Sequence, residues 1–320
     1  MKGRGIVIRQ PTVVATDKYS GQIIAIGNSA KEMHGRTPEN IETTWPLKDG
    51  VIADFTATKK MLRYFVEKAC QNYLFNKPRI VIGVPLGVTE VEESAVEEAA
   101  LEAGAREVFL IEEPMAAAIG AGLKISEASG SMIVDIGGGT TEIAVISMGG
   151  IIASRSIRVA GDEITESIIE YIKREYNVLI GKITAENIKH KIGTAYPSMT
   201  IEEMDIKGRS LQNGLPEIIT ISSAQIEGAM KDVLLQIIGA IKQTLEITPT
   251  ELASDLMLNG ITICGGTALI KNIDRLIAME TGLPVNIAKN PTECVVTGAS
   301  KVLEDIHGLK KLLKSSKQGR

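Results

Sequence analysis

Residues 132–147, MIVDIGGGTTEIAVIS, set two apolar, β-branched runs on either side of three consecutive glycines. Such runs read as strands, over 132–136 and 142–147, with GGGTT as the turn between them. A hairpin turn needs only two special residues. Three glycines in a row let backbone N–H groups converge on an anion with no Cβ of their own in the way. Thr140 and Thr141 add hydroxyl donors. Asp135, at the end of the first strand, is placed to hold Mg²⁺ through water, because Mg²⁺ keeps much of its hydration shell. No GK[ST] follows and the next element is a strand, so this is not a Walker loop. A plain glycine turn is the competing reading, and the carboxylate ahead of the triple glycine favours the phosphate-binding one.

Outward from this hairpin the chain alternates between period two and period 3.6. Upstream, 6–9, 12–15 and 23–26 read as short strands. Asp54 reads as the N-cap of a helix running to about Cys70. A strand over 80–84, a helix from about 90 to 103 closed by Gly104, a strand over 107–111 and a helix opened by Pro114 follow, all βα units. Downstream, Gly149-Gly150 reads as a turn into a strand over 151–159, followed by helices over about 162–176 and 184–193. A polar hairpin region over 199–221, a long helix over about 223–245, a strand over 261–264, a helix over 270–281, a strand over 285–287 and a last helix from about 291 complete the pattern. The fold class is α/β with two domains of the same type. Ligands of open α/β sheets sit at the strand ends, so a cleft between the domains is the expected site.

Composition narrows the function. The 320 residues carry a net charge of −4, and aromatic residues are only 3%, which argues against nucleic acid as a partner. The three histidines are far apart, so a histidine-rich metal site is excluded. Cys70, Cys264 and Cys294 share no CxxC spacing and read as buried, reduced thiols of a cytoplasmic protein. The longest uncharged stretch, 256–270, has 15 residues interrupted by polar residues and glycines. A spanning helix needs about 20 apolar residues, so a transmembrane segment is not expected. The start shows no apolar secretory core. The basic tail, HGLKKLLKSSKQGR, reads as a solvated end with some attraction to anionic surfaces.

Other local features are weaker. Gly265-Gly266-Thr267-Ala268 reads as a strand–GG–helix anion contact. Glu112-Glu113-Pro114 ends a strand where a helix begins. A carboxylate there either orients a water or stabilises the helix start. Leu74-Phe75 either packs back on its helix or faces a membrane or partner.

GRGIVIRQPTVVA, KPRIVIGVPLGVTEVE, LEAGAREVFLIEEPMAAAIGAGL, MIVDIGGGTTEIAVIS, VAGDEITESIIEYIKREYNVLIG, AENIKHKIGTAYP and ICGGTALI together resemble the bacterial actin-homologue family of MreB, from about residue 3 to about residue 303. The resemblance implies an actin-like fold, of the actin, chaperone and sugar-kinase ATPase superfamily. It places a first domain over 1–125 (small subdomain about 16–48) and a second over 126–290 (small subdomain about 165–244). A helix and basic tail over 291–320 return to the first domain. It implies ATP and Mg²⁺ as ligands. It also implies polymerisation with further copies of the chain into filaments at the inner face of the cytoplasmic membrane, where they organise the wall-elongation machinery and rod shape.

Motif by motif, Asp135 resembles the Mg²⁺-associated aspartate, and Gly137, Gly138, Gly139 and Thr140 the phosphate cradle. Glu113 resembles the water-positioning glutamate. Gly161 and Asp162 resemble the ribose-side contact, Glu186 and Lys189 the adenosine clamp, and Gly265 and Gly266 the adenosine loop. Cys264 and Thr267 stand where the family often has glycine or serine. Leu74-Phe75 is similar to a membrane-inserting loop. The family's first phosphate loop, a D-x-G-T-A-N hairpin, has no counterpart in the sequence. The expectations are therefore weak Mg-ATP binding, uncertain hydrolysis and unpaired sheet edges in the first domain. Two alternatives stay open: a non-catalytic paralogue co-assembling with an intact homologue, and a small-molecule kinase of the same superfamily.

Overall fold

A computed structural model describes residues 1–70 and 77–318. The chain divides into two compact units, Met1–Glu113 with Val296–Arg320, and Pro114–Val295.

In the first unit, β1 (Val14–Asp17) lies between β2 (Ile23–Ile26) and the later β3 (Ile41–Thr44), all antiparallel. The intervening helix α1 (Asn28–Met33) contributes Ala30 to a small core with Val13 and Ala15. β4 (Leu47–Lys48) and β5 (Val51–Ile52) form a tight hairpin. Its turn residues, Asp49 and Gly50, both have positive φ, the conformation an Asp-Gly turn favours. Helix α2 (Phe55–Ala69) starts where expected, with Asp54 accepting the Ala57 N–H at 2.9 Å. Its face of Ala57, Thr58, Met61 and Val66 is buried. β6 (Arg79–Val84), α3 (Glu90–Glu102) and β7 (Glu107–Glu112) form a parallel βαβ unit. Thr89 and Glu92 close a reciprocal capping box at the start of α3.

The second unit begins within α4 (Glu113–Ala121). β8 (Ser131–Ile136), β9 (Thr141–Ser147) and β10 (Gly150–Ile157) form an antiparallel meander. Then come α5 (Gly161–Tyr176), β11 (Val178–Leu179), α6 (Lys182–Ile192), the β12 (Glu203–Ser210) and β13 (Pro216–Ser222) hairpin, α7 (Ser223–Glu246) and α8 (Thr250–Asn259). β14 (Ile261–Cys264), α9 (Ile273–Thr281) and β15 (Val285–Ile287) return the chain to the sheet, whose order is β10-β9-β8-β14-β15. β14 runs parallel to β8, which brings Cys264 beside Asp135. Ile164, Ile168 and Ile172 recur every four residues on α5 and are fully buried. Ile188 of α6 and Ile237 and Ile241 of α7 join them in one core with Val134, Ile136 and Val145 of the sheet. Each such side chain contributes roughly 1.5–3 kcal/mol.

The chain then follows α10 (Cys294–Glu304), α11 (Ile306–Leu309) and β16 (Ser315–Gln318). The tail, expected to be solvated, pairs antiparallel with β7 from Ser315↔Leu110 to Gln318↔Glu107. A free sheet edge offers backbone partners to a segment of low strand propensity. The Lys314 ammonium anchors it 2.8 Å from Glu93 and 3.9 Å from Glu112.

Other expectations also change. Residues 6–9 form no ladder among the described residues. Ile6, Val7 and Ile8 instead line an apolar trough of about 490 Å³ with Leu62, Phe65 and Ile80. β6 is an edge strand among the described residues. The second hairpin turns on Met148 and Gly149 rather than Gly149-Gly150, with Met148 held at φ 51°. Gly265-Gly266 leads into a single 3-10 turn, Thr267–Leu269, and the helix starts only at Ile273.

Candidate functional site

The site grows from the end of β8. Gly137 N–H donates to the Thr140 carbonyl at 2.9 Å and closes the glycine turn. The Gly137 carbonyl accepts from Gly161 N–H at 3.2 Å and from the Thr267 hydroxyl at 2.9 Å. The Gly138 carbonyl accepts from Asp162 N–H at 2.7 Å. A trans peptide points its C=O and N–H in opposite directions. Two carbonyls drawn back onto α5 and the 267 hydroxyl therefore turn the N–H groups of Gly138 and Gly139 the other way. Among the described residues those two amides have no acceptor. Adjacent free amides of this kind form an anion nest.

The first residues of α5 complete this side. The positive end of that 16-residue helix lies at Gly161 and Asp162, next to the nest. A Cβ on Gly161 would come 2.8 Å from the Thr267 hydroxyl and 3.1 Å from the Gly137 carbonyl, so only glycine packs there. The Asp162 carboxylate pairs with Lys182 at 2.9 Å and ties α5 to α6.

A cavity of about 170 Å³ opens in front of these groups. Gly137, Gly138, Gly161 and Asp162 line one wall, Glu186 and Lys189 another, and Gly266 a third. Thr267, next to the second glycine pair, lines it too, as do His190, Leu269 and Ile270, which the sequence did not single out. His190 follows Lys189 on the same helix, and Thr267 follows the second glycine pair, so adjacency was the available signal. Lys189 is buried, and its ammonium donates to the Gly161 carbonyl at 2.7 Å and the Thr165 hydroxyl at 2.8 Å. Its charged end thus fastens α6 to the start of α5.

Some expected residues stand elsewhere. Thr140 ends the glycine turn, but Thr141 turns inward, fully buried, and its hydroxyl donates to the Val159 carbonyl at 2.7 Å. It offers no donor to a phosphate because its place in β9 directs it to the core. Gly265 sits behind the cavity wall, at φ +86°, where a Cβ would lie 2.2 Å from the Ile136 carbonyl oxygen. Glu113 opens α4 at the end of the first unit and is half-buried. Leu74 and Phe75 lie outside the described residues.

Asp135 is buried and hydrogen-bonded to the Cys264 thiol, and its desolvation pushes the carboxyl up to about 6. Among the described residues no cation is a cause of that shift, and a bound positive charge would lower it again. Among the described residues no group of three or more His, Cys, Asp and Glu side chains could hold a metal ion. A Mg²⁺ ion at Asp135 would be held largely by water and phosphate oxygens, not by a protein cage. The hydrogen bond to Cys294, with burial, pushes the Cys264 thiol far up, so both cysteines serve as packed thiols.

A mixed sheet with a glycine hairpin at one strand end, a helix start and a second glycine turn on one cavity defines the actin-like class of nucleotide-binding folds. Comparison with known proteins agrees. The family model described as MreB/Mbl protein matches residues 1–311. The cell shape-determining protein MreB of Escherichia coli (strain K12) is 50% identical over 315 residues, 96% of this chain and 91% of that protein. The crystal structure of MreB5 of Spiroplasma citri bound to ADP superposes with a TM-score of 0.92 at 39% identity, covering 97% of this chain and 93% of that one. A MamK double helical filament, 21% identical with a TM-score of 0.78 over 95% and 94% of the two chains, shares the fold. The chain belongs to the MreB/Mbl family of cell shape-determining, actin-like cytoskeletal proteins.

Proposed function

We propose that this chain binds Mg-ATP with its phosphates on the Gly138–Gly139 amides and assembles with its own copies into filaments that maintain cell shape at the inner membrane face. The observation that carries the nucleotide reading is the pair of free amides beside the start of α5, held by carbonyls that other elements draw back. A phosphate is the ligand such a nest suits. Glu186, with the stem of Lys189, flanks the sugar and base, and Asp135 sits nearest the cation. The ADP held by the Spiroplasma relative supports the same ligand class.

Calorimetric titration with Mg-ATP tests this part. One site per chain is expected, and Asp135→Asn should bind with little dependence on Mg²⁺. Absence of any binding heat, with binding also undetected by a fluorescent ATP analogue, would overturn the reading.

Membrane attachment rests on Leu74 and Phe75 by their motif. Two such side chains contribute only roughly 1.5–3 kcal/mol each when buried, so one subunit attaches poorly and a filament attaches well. Pelleting with anionic vesicles should therefore require assembly, and it should fall at least tenfold in the Leu74→Ser, Phe75→Ser double variant. Undiminished pelleting of that variant would remove the attachment role from these residues.

A further inference from the structure

The Thr267 hydroxyl is a buried group reaching from one glycine turn to the other. It lies in the turn after β14, 130 positions along the chain from Gly137, whose carbonyl it bonds at 2.9 Å. Thr267 is itself only 4% exposed, and Gly266 beside it lines the cavity. A Cβ on Gly161 would fall 2.8 Å from the same hydroxyl, so the three segments 137–138, 161–162 and 266–267 meet at one point. Among the described residues Thr267 ties the 266–267 turn to the phosphate-side turn by its side chain. Asp162 and Gly161 hold that turn from α5 through backbone N–H groups that no substitution short of proline removes.

We infer that Thr267 is a positioning residue that fixes the Gly137–Gly138 peptide, and so aims the Gly138 N–H at a bound phosphate, from the turn that faces the nucleoside. This rests on the nucleotide reading above. Its consequence is directional. Losing the hydroxyl frees one bond on the Gly137 carbonyl and lets that peptide rotate, so the phosphate contact weakens. The wall at Gly266 and Glu186 keeps its shape, so the nucleoside contact does not. Serine, which keeps the hydroxyl without the methyl group, restores the bond.

The test compares Thr267→Val, which keeps the shape and removes the donor, with Thr267→Ser and the parent chain. Titrations with ADP and with adenosine are run on each. Thr267→Val should bind ADP about tenfold more weakly while adenosine affinity stays within twofold, and Thr267→Ser should match the parent. In the nucleotide-free protein, hydrogen exchange of the Gly138 amide segment should rise several-fold in Thr267→Val alone. Equal losses for ADP and adenosine, or unchanged ADP binding with unchanged exchange, would overturn the inference while leaving the nucleotide reading intact. A parent chain that binds neither ligand would overturn both. Should Thr267→Val fail to fold, Thr267→Ala answers the same question, and serine rescue of either variant separates loss of the hydroxyl from loss of packing.

Discussion

Replacing Glu113 by alanine should cut ATP turnover by roughly 10²-fold or more while leaving nucleotide affinity within about twofold. The expectation follows from its motif and place. Glu113 is the residue directly before Pro114 and the first residue of α4, at the end of a buried parallel strand. A carboxylate at such a strand end can orient a water for in-line attack on a γ-phosphate, a step that depends on positioning more than on covalent chemistry. Because the water is engaged only on the way to the transition state, its loss falls on turnover and not on binding. The competing role is local. A carboxylate in the first turn of a helix also stabilises that turn, by about 0.3–1 kcal/mol. Single-turnover kinetics and ADP titration of Glu113→Ala and Glu113→Gln separate the two. A parallel fall in binding and turnover, or a turnover loss that tracks lowered thermal stability, would assign Glu113 to the helix start.

Gly265→Ala should destabilise the second unit by about 4 kcal/mol and lower its melting temperature by roughly 10 °C. Two effects add. The residue holds φ +86°, in the left-handed region that costs an alanine about 1–2 kcal/mol. Its new Cβ would also stand 2.2 Å from the Ile136 carbonyl oxygen and 2.6 Å from an Asp135 carboxylate oxygen. The carbonyl belongs to the central sheet and cannot step aside, so β14 must move away from β8. Gly266→Ala is the control, because nothing lies within 4 Å of its Cβ position and its φ is ordinary. It should melt within about 2 °C of the parent. Equal melting temperatures for the two variants would show that the close approach of the turn to β8 is not a packing constraint.

What the sequence disclosed, and what it hid, follows the range of the interactions. The MIVDIGGGTTEIAVIS hairpin and the α2 cap at Asp54 are written in neighbouring residues, and their positions could be read directly. The triple glycine announced free amides. Which amides are free is decided by Gly161, Asp162 and Thr267, which lie 24 to 130 positions downstream of the carbonyls they bind. The same limit applies to Lys189, which the resemblance pairs with Glu186 as an adenosine clamp, while its charge is taken up by the start of α5. Thr141 was grouped with Thr140 by adjacency, yet a strand sends successive side chains to opposite faces, and Thr141 went to the core. The tail carried no strand pattern at all. Only the free edge of β7 and the acid pair Glu93 and Glu112 give Lys314 and the four residues of β16 a place. The Asp49-Gly50 turn, by contrast, was a short-range signal that the reading passed over.

Nucleotide held at the Gly138–Gly139 nest should drive this chain to assemble. Sedimentation of the purified protein over a range of concentrations, with and without Mg-ATP and with the pellets viewed by electron microscopy, tests it most directly. A sharp critical concentration is expected, which Mg-ATP lowers at least several-fold, with pellet mass rising linearly above it and filaments in every pellet. Protein that binds Mg-ATP yet stays monomeric at all concentrations, or that sediments identically without nucleotide, would contradict it.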